Sequence, residues 1–153
     1  MSAPRTIAMA VTQSERRHRQ VAQEMRQLQE RRQMAAQQLD QLQSYAHETQ
    51  QNFLRYAKRH LQPVVLQQHH QFVGRLDDAI YRQSVVIEEL QVHIEKVHSQ
   101  LLACEQRLNV LQRWMDSQAA QRASQEARTE QKMNDDMAAR AGRAWLSPDR
   151  GEA

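Results

Sequence analysis

Histidines, paired carboxylates and one cysteine are the residues of this chain that could do chemistry. The histidines include the neighbours His69 and His70, and the pair His93 and His98. On a helix, residues one or five positions apart do not bring two imidazoles onto one ion, as residues four apart would. This spacing argues against a metal site, and we expect the protein to bind neither a metal nor a cofactor.

The acidic pairs Asp77-Asp78 and Glu88-Glu89 are sequence neighbours. Neighbouring side chains point in different directions on a helix, so these carboxylates are typical of solvated faces and not of general acid and base pairs. Cys104 falls among regularly spaced apolar residues, where a thiol packs as a small hydrophobe. Neither a glycine-rich phosphate loop nor a Ser/His/Asp arrangement occurs in the sequence. We therefore predict no catalytic residues and no enzymatic activity.

The composition favours long helices. Gln, Ala, Arg, Glu and Leu predominate, while aromatic residues make up only 5% of the chain and there are three Gly and three Pro. Most of the abundant types are strong helix formers, and this mixture is typical of long helices and coiled coils. No apolar run approaches the roughly 18 residues of a membrane span. The sequence predicts a soluble, cytoplasmic, all-α protein.

Glycine and proline divide the chain into two long segments. Neither residue occurs between Arg5 and Gln62, and only Gly74 interrupts the stretch from Val64 to Ala141. Pro63 marks the division. The predicted organisation is one coiled-coil domain over residues 1–141, with helix one at about 5–61, a turn at about 62–65, helix two at about 66–141, and a flexible tail at 142–153.

Apolar residues recur in both segments at alternating spacings of three and four. A repeat of 3.5 residues makes helices coil around a partner. We call these positions the seam. In the first segment they are Ile7, Val11, Ser14, His18, Val21, Met25, Leu28, Arg32, Ala35, Leu39, Leu42, Ala46, Thr49, Phe53, Tyr56 and His60. In the second they are Leu66, His69, Val73, Leu76, Ile80, Gln83, Ile87, Leu90, Ile94, Val97, Leu101, Cys104, Leu108, Leu111 and Met115.

The nearest partner for each segment is the other one. A reversal at Gln62-Pro63 would give an antiparallel coiled-coil hairpin of two long helices. Counting outward from that turn predicts three neighbouring pairs: Leu39 with Leu90, Leu28 with Leu101, and Val21 with Leu108. Beyond Met115 the apolar repeat is lost, although residues 119–141 still have a helical composition. In that part, Met133, Met137 and Ala141 resume a spacing of four, which is compatible with either a contact stripe or a solvated helix.

The start of the chain is basic. Residues 1–33 contain seven Lys or Arg and three Asp or Glu. The stretch at residues 15–26 lacks the continuous basic density and the base-reading asparagine of a basic-region zipper, so we expect no nucleic acid as a partner. Its arginines could instead face an acidic protein surface.

A second apolar edge lies beside the seam. It involves Gln38, Leu42 and Tyr45 on helix one and Phe72, Leu76 and Ala79 on helix two, with the same i, i+4, i+7 spacing. Leu42 and Leu76 are themselves seam positions, and the other four residues occupy the flanking position. Exposed aromatic stripes are often interaction sites. The alternative is that Phe72 and Tyr45 broaden the packing of the hairpin itself. The residues alone leave both possibilities open.

These residues, the segment LQQHHQFVGRLDDAIYRQ and the late segment EARTEQKMNDDMAAR resemble the FliJ family over roughly residues 10–141. That family consists of small stalk proteins of the flagellar type III export apparatus. This chain departs from the family pattern at Thr49 and Gln83, where a second Tyr and a His are usual. It departs again at the turn, where Gln62-Pro63-Val64 replaces a small or glycine-containing sequence.

The resemblance implies a helix pair like the central shaft of the rotary ATPases. It implies as partners the export ATPase hexamer, the cytoplasmic domain of the export gate protein, and export chaperones, at the cytoplasmic face of the inner membrane. Gate binding would fall on Gln38, Leu42, Tyr45, Phe72, Leu76 and Ala79. Binding to the ATPase ring is expected of Arg16, Arg17, Arg19, Met133 and Met137. Two alternatives are a generic coiled-coil scaffold or chaperone, and the equivalent stalk of a virulence secretion system.

Overall fold

The computed structural model describes residues 3–60 and 62–146, and almost all of them lie in two α-helices. Helix α1 spans Ala3–Ala57 and helix α2 spans Pro63–Leu146. These described ranges contain no strand. The two helices pack against each other, so the prediction of an all-α hairpin of two long helices is confirmed.

Proline sets the start of α2. Pro63 is its first residue, a position where the missing N–H costs no helical hydrogen bond. The amide of Leu66 donates to the carbonyl of Gln62 at 3.1 Å, which begins the hydrogen-bond ladder. At the other side of the turn, His60 donates to the carbonyl of Tyr56 at 3.0 Å just after α1 ends. The turn is therefore nearer the N-terminus than predicted, because Pro63 belongs to the helix and not to the connection.

Helix α2 also ends later than predicted. It continues through Gly142 to Leu146, five residues beyond the predicted end at Ala141. One glycine costs a helix only about 1 kcal/mol relative to alanine, and Ala and Arg on both sides of it favour the helix. Residues 147–153, the rest of the predicted tail, lie outside the described residues. The single-domain organisation stays a prediction.

The chain divides into two units. One is Ser14–Gln106, and the other combines Met1–Gln13 with Arg107–Ala153. In the first unit, every residue that is more than nine-tenths buried is a seam position. These residues are Ser14, Val21, Met25, Leu28, Ala35, Leu76 and Val97. The nearly fully buried residues of this hairpin thus all lie on the seam read from the sequence, although the seam positions Arg32, Tyr56, His60 and Leu66 are exposed.

The core of this unit is a cluster that draws on both helices. Val21, Met25 and Leu28 of α1 meet Val97 of α2. The half-buried residues packed against them are Leu90, Ile94, Leu101 and Cys104. Cys104 therefore packs as a small hydrophobe, as predicted. Burial of such side chains stabilises the pairing by about 1.5–3 kcal/mol each.

The helices run antiparallel, but in a register that differs from the predicted one. Gln83 contacts Ala35 and Gln38. Leu39, next to Gln38 in sequence, is therefore level with the region of Gln83, and the predicted pairing of Leu39 with Leu90 is wrong. Leu101 packs against a cluster that contains Val21 as well as Leu28, so this contact does not assign Leu101 to Leu28; Val21 lies in that cluster with Val97, and Leu108 is not part of it. The error follows from the turn, whose centre lies before Pro63.

The second unit is sparsely packed. Its half-buried residues are Ile7, Ala10 and Val11 in α1 and Leu108, Leu111 and Gln118 in α2. From Ala119 to Leu146 every side chain is exposed. This agrees with the predicted loss of the seam after Met115, since the helix beyond that point has no apolar face covered by another element.

Candidate partner-binding surface

The edge beside the seam is held together by an aromatic pair. The rings of Tyr45 in α1 and Phe72 in α2 lie 6.0 Å apart between centroids, at an interplanar angle of 85°. Aromatic rings favour this edge-to-face geometry. Tyr45 nevertheless remains 52% exposed, and Phe72 is half-buried. The pair therefore joins the two helices and still presents aromatic surface to solvent, and binding of a partner there stays a prediction.

The other members of the predicted gate-binding set differ in exposure. Gln38 is exposed, while Leu42 and Ala79 are half-buried. Leu76 is only 8% exposed, which makes it part of the buried seam. Its side chain is thus covered by the hairpin itself. We call the face formed by Gln38, Leu42, Tyr45, Phe72 and Ala79 the flank surface.

Gln83 makes hydrogen bonds between the helices that were not predicted from the sequence. Its Nε2 donates to the backbone carbonyl of Ala35 at 3.0 Å and to Oε1 of Gln38 at 3.1 Å. Ala35 is 6% exposed, and its small side chain lets the long amide reach the backbone of α1. The sequence signal was present, since Gln83 is a polar residue within an otherwise apolar run of seam positions.

Two grooves lie along the flank surface, one on each side of the Tyr45–Phe72 pair. The turn-side groove is lined by Tyr45, Thr49, Asn52, Phe53, Tyr56, Val65, Gln68, His69 and Phe72. The distal groove is lined by Leu42, Arg75, Asp78, Ala79, Arg82, Gln83 and Val86. Val65, Phe72, Ala79 and Val86 follow one another at intervals of seven, so both grooves open on the same side of α2.

A second aromatic contact joins two residues that line the turn-side groove. The rings of Phe53 and His69 are stacked, with centroids 3.7 Å apart and an interplanar angle of 5°. Both residues are half-buried seam positions. His69, which appeared in the sequence as half of a neighbouring histidine pair, is therefore a packing residue in this hairpin.

Two histidine–glutamate contacts join the helices farther from the turn. His18 Nε2 lies 3.4 Å from Glu105 Oε1, and His93 Nε2 lies 3.7 Å from Glu24 Oε1. Each becomes an ion pair when its imidazole is protonated. The side chains are between about a third and a half exposed, so each pair contributes at most about 1 kcal/mol. Both add polar contacts between the two helices in the region of the core cluster.

Comparison with protein families identifies the chain. A family model described as "Flagellar FliJ protein" matches residues 8–144, which is most of the sequence. The chain belongs to the FliJ family. Searches among curated proteins and among solved structures give no match. Membership confirms the family resemblance and makes the protein a flagellar component related to export, of a family that is not enzymatic.

The residues expected to bind the ATPase ring of a FliJ family member are exposed. Arg16, Arg17 and Arg19 lie on the outer side of α1 in the unit Ser14–Gln106. Met133 and Met137 are 60% and 66% exposed, on the uncovered part of α2 in the other unit. Neither the three arginines nor the two methionines are covered by other residues of their own unit.

Within residues 3–60 and 62–146, no three or more His, Cys, Asp or Glu side chains come together in a group that could ligate a metal ion. Over the same part of this FliJ-family chain, neither helix offers a stretch apolar enough to cross a bilayer. The described residues therefore offer other molecules the exposed faces of two helices.

Proposed function

We propose that this protein is the stalk of a flagellar type III export apparatus, a non-enzymatic component that couples the export ATPase ring to the export gate. In this role it acts in the cytoplasm, at the inner face of the inner membrane, and reaches the membrane only through its partners. It also assists the handling of export chaperones. Family membership over residues 8–144 supports the flagellar and export part of this proposal.

The contact with the cytoplasmic domain of the export gate protein is assigned to the flank surface. The observation that carries this assignment is the Tyr45–Phe72 pair, which is fixed by both helices and leaves Tyr45 52% exposed. A rigid aromatic side chain that is already oriented loses little entropy on binding, and such residues often dominate interface energies. Leu76 contributes from below, as a buried residue that keeps the face in place.

A binding assay with the isolated cytoplasmic domain of the gate protein tests this assignment. Tyr45→Ala should raise Kd by about 30-fold, which corresponds to the roughly 2 kcal/mol of an interface hot spot. Its thermal unfolding should change little, because half of the side chain is already in water. Phe72→Ala should weaken binding similarly.

Tyr81→Ala is the matched control, since Tyr81 is an exposed tyrosine of α2, at 71%, and lines neither groove. It should bind the gate domain normally. Equal binding by the Tyr45→Ala and Tyr81→Ala variants would remove the flank surface from the proposal. A large loss of stability with normal binding for Phe72→Ala would show that the aromatic pair serves only the hairpin.

Contact with the ATPase ring is assigned to Arg16, Arg17 and Arg19 and, separately, to Met133 and Met137. Support comes from the exposure of both groups and from the excess of positive charge at the start of the chain. Arginine is well suited to carboxylates on an acidic partner, and exposed methionines adapt to irregular apolar surfaces. The generic scaffold alternative would instead predict a stable dimer of this chain and no affinity for a hexameric ATPase.

A further inference from the structure

The two grooves of the flank differ in charge. None of the residues that line the turn-side groove carries a permanent charge, and five of them have aromatic or imidazole rings: Tyr45, Phe53, Tyr56, His69 and Phe72. The distal groove contains the guanidinium groups of Arg75 and Arg82 together with one carboxylate, Asp78. The surface therefore changes from aromatic to cationic with distance from the turn.

Arg75 and Arg82 are positioned for a partner. They are seven residues apart, which places them on the same side of α2 about 10 Å apart along its axis. Both are exposed. Asp78 is three residues from one and four from the other, yet within the described residues neither arginine forms an ion pair with it or with any other carboxylate. Their planar, bidentate donors are free to meet carboxylates from another molecule.

We propose that the flank surface and its two grooves recognise one segment of the gate protein's cytoplasmic domain. This segment combines an aromatic or large aliphatic side chain with carboxylates. The apolar side chain enters the turn-side groove beside Phe72. The carboxylates lie against Arg75 and Arg82 in the distal groove, while Asp78 disfavours segments that are uniformly acidic. The arginines thereby determine the orientation in which the segment binds, and they select segments that carry negative charge.

This inference rests on the proposed gate contact and adds two specificity-determining residues to it. Charged groups at the edge of an interface act mainly on orientation and on the rate of encounter, and their contribution falls as salt increases. An apolar contact at Tyr45 lacks that salt dependence. The two parts of the surface can therefore be separated experimentally.

The test measures binding of the gate protein's purified cytoplasmic domain at low and at high salt. Arg75→Glu/Arg82→Glu in the full chain should weaken binding at least tenfold at low salt, and the difference from the unmodified protein should shrink at high salt. Arg26→Glu/Arg55→Glu is the control, because it changes the net charge equally at exposed positions outside both grooves. It should change binding by less than about threefold.

The outcomes distinguish this inference from the proposed function. Loss of binding by Tyr45→Ala together with unchanged binding by Arg75→Glu/Arg82→Glu overturns the acidic segment and leaves the gate contact in place. Equal loss from both double reversals shows that only the net charge matters and also overturns it. Circular dichroism of each variant shows whether the helices are intact. If the Glu variant is unfolded, Arg75→Gln/Arg82→Gln replaces it, and its binding must weaken and become less salt-dependent for the inference to stand.

Discussion

Replacing Leu28 with alanine tests the core of the hairpin. Leu28 is 3% exposed and lies in the cluster with Val21, Met25 and Val97. The substitution removes three carbon atoms, and at about 0.8 kcal/mol for each buried methylene the lost transfer free energy is roughly 2.4 kcal/mol. A cavity adds to this cost, but two packed helices have no third layer, so the neighbouring side chains can close most of it. We expect the free energy of unfolding to fall by about 2–3 kcal/mol.

The assay is urea unfolding followed by far-ultraviolet circular dichroism, with the midpoint and slope fitted for each variant. Leu102→Ala serves as the control, because Leu102 is also a helical leucine but is 47% exposed. It should cost less than about 1 kcal/mol. Both substitutions replace leucine with alanine in a helix, so the change in helix propensity is the same and does not affect the difference between them. If the two variants lose equal stability, or if Leu28→Ala costs less than about 0.5 kcal/mol, the assignment of the core cluster is refuted.

Three further predictions concern topology, a polar contact and the ATPase ring. With Cys104 replaced by alanine, cysteines at positions 38 and 83 should be cross-linked within one chain by a short thiol reagent, because the hydrogen bond from Gln83 Nε2 to Gln38 Oε1 shows that these positions face each other across the hairpin. Cysteines at 39 and 90 should not be cross-linked, and purely intermolecular products would contradict the hairpin. Gln83→Glu should destabilise the protein by about 1–3 kcal/mol in urea unfolding at neutral pH, since a carboxylate cannot donate to the Ala35 carbonyl; Gln83→Leu should cost clearly less, and the opposite order would argue against this contact. Arg16→Glu/Arg17→Glu/Arg19→Glu should weaken binding to the purified export ATPase in a salt-dependent way with little change in helicity, and unchanged affinity would leave Met133 and Met137 as the assigned contact.

The sequence by itself determined the helices and the face that each one buries. Apolar residues spaced by three and four can form one continuous stripe only on a helix. Every residue that is nearly fully buried in the described structure lies on that predicted stripe. The scarcity of Gly and Pro within the segments, where only Gly74 occurs, and the place of Pro63 likewise predicted two helices and a reversal between them. These are local properties, which neighbouring residues decide.

The register was decided by tertiary structure. A heptad repeat looks the same after a shift of seven residues, so the stripe alone does not say which level of one helix faces which level of the other. The turn and the polar contact of Gln83 with Ala35 remove this ambiguity in the folded hairpin. The predicted pairing of Leu39 with Leu90 failed because it depended on a turn placed too late in the chain.

The character of the candidate site was also decided by contacts between the helices. The sequence placed Leu76 on the seam and Phe72 in a flanking position, and it left open whether Phe72 is packed; in the structure Leu76 is buried and Phe72 is half-buried against Tyr45. A helical wheel gives the direction of a side chain but not the distance of the helix opposite. That distance determines which side chains the partner helix covers, and therefore which residues of the edge remain available to another protein.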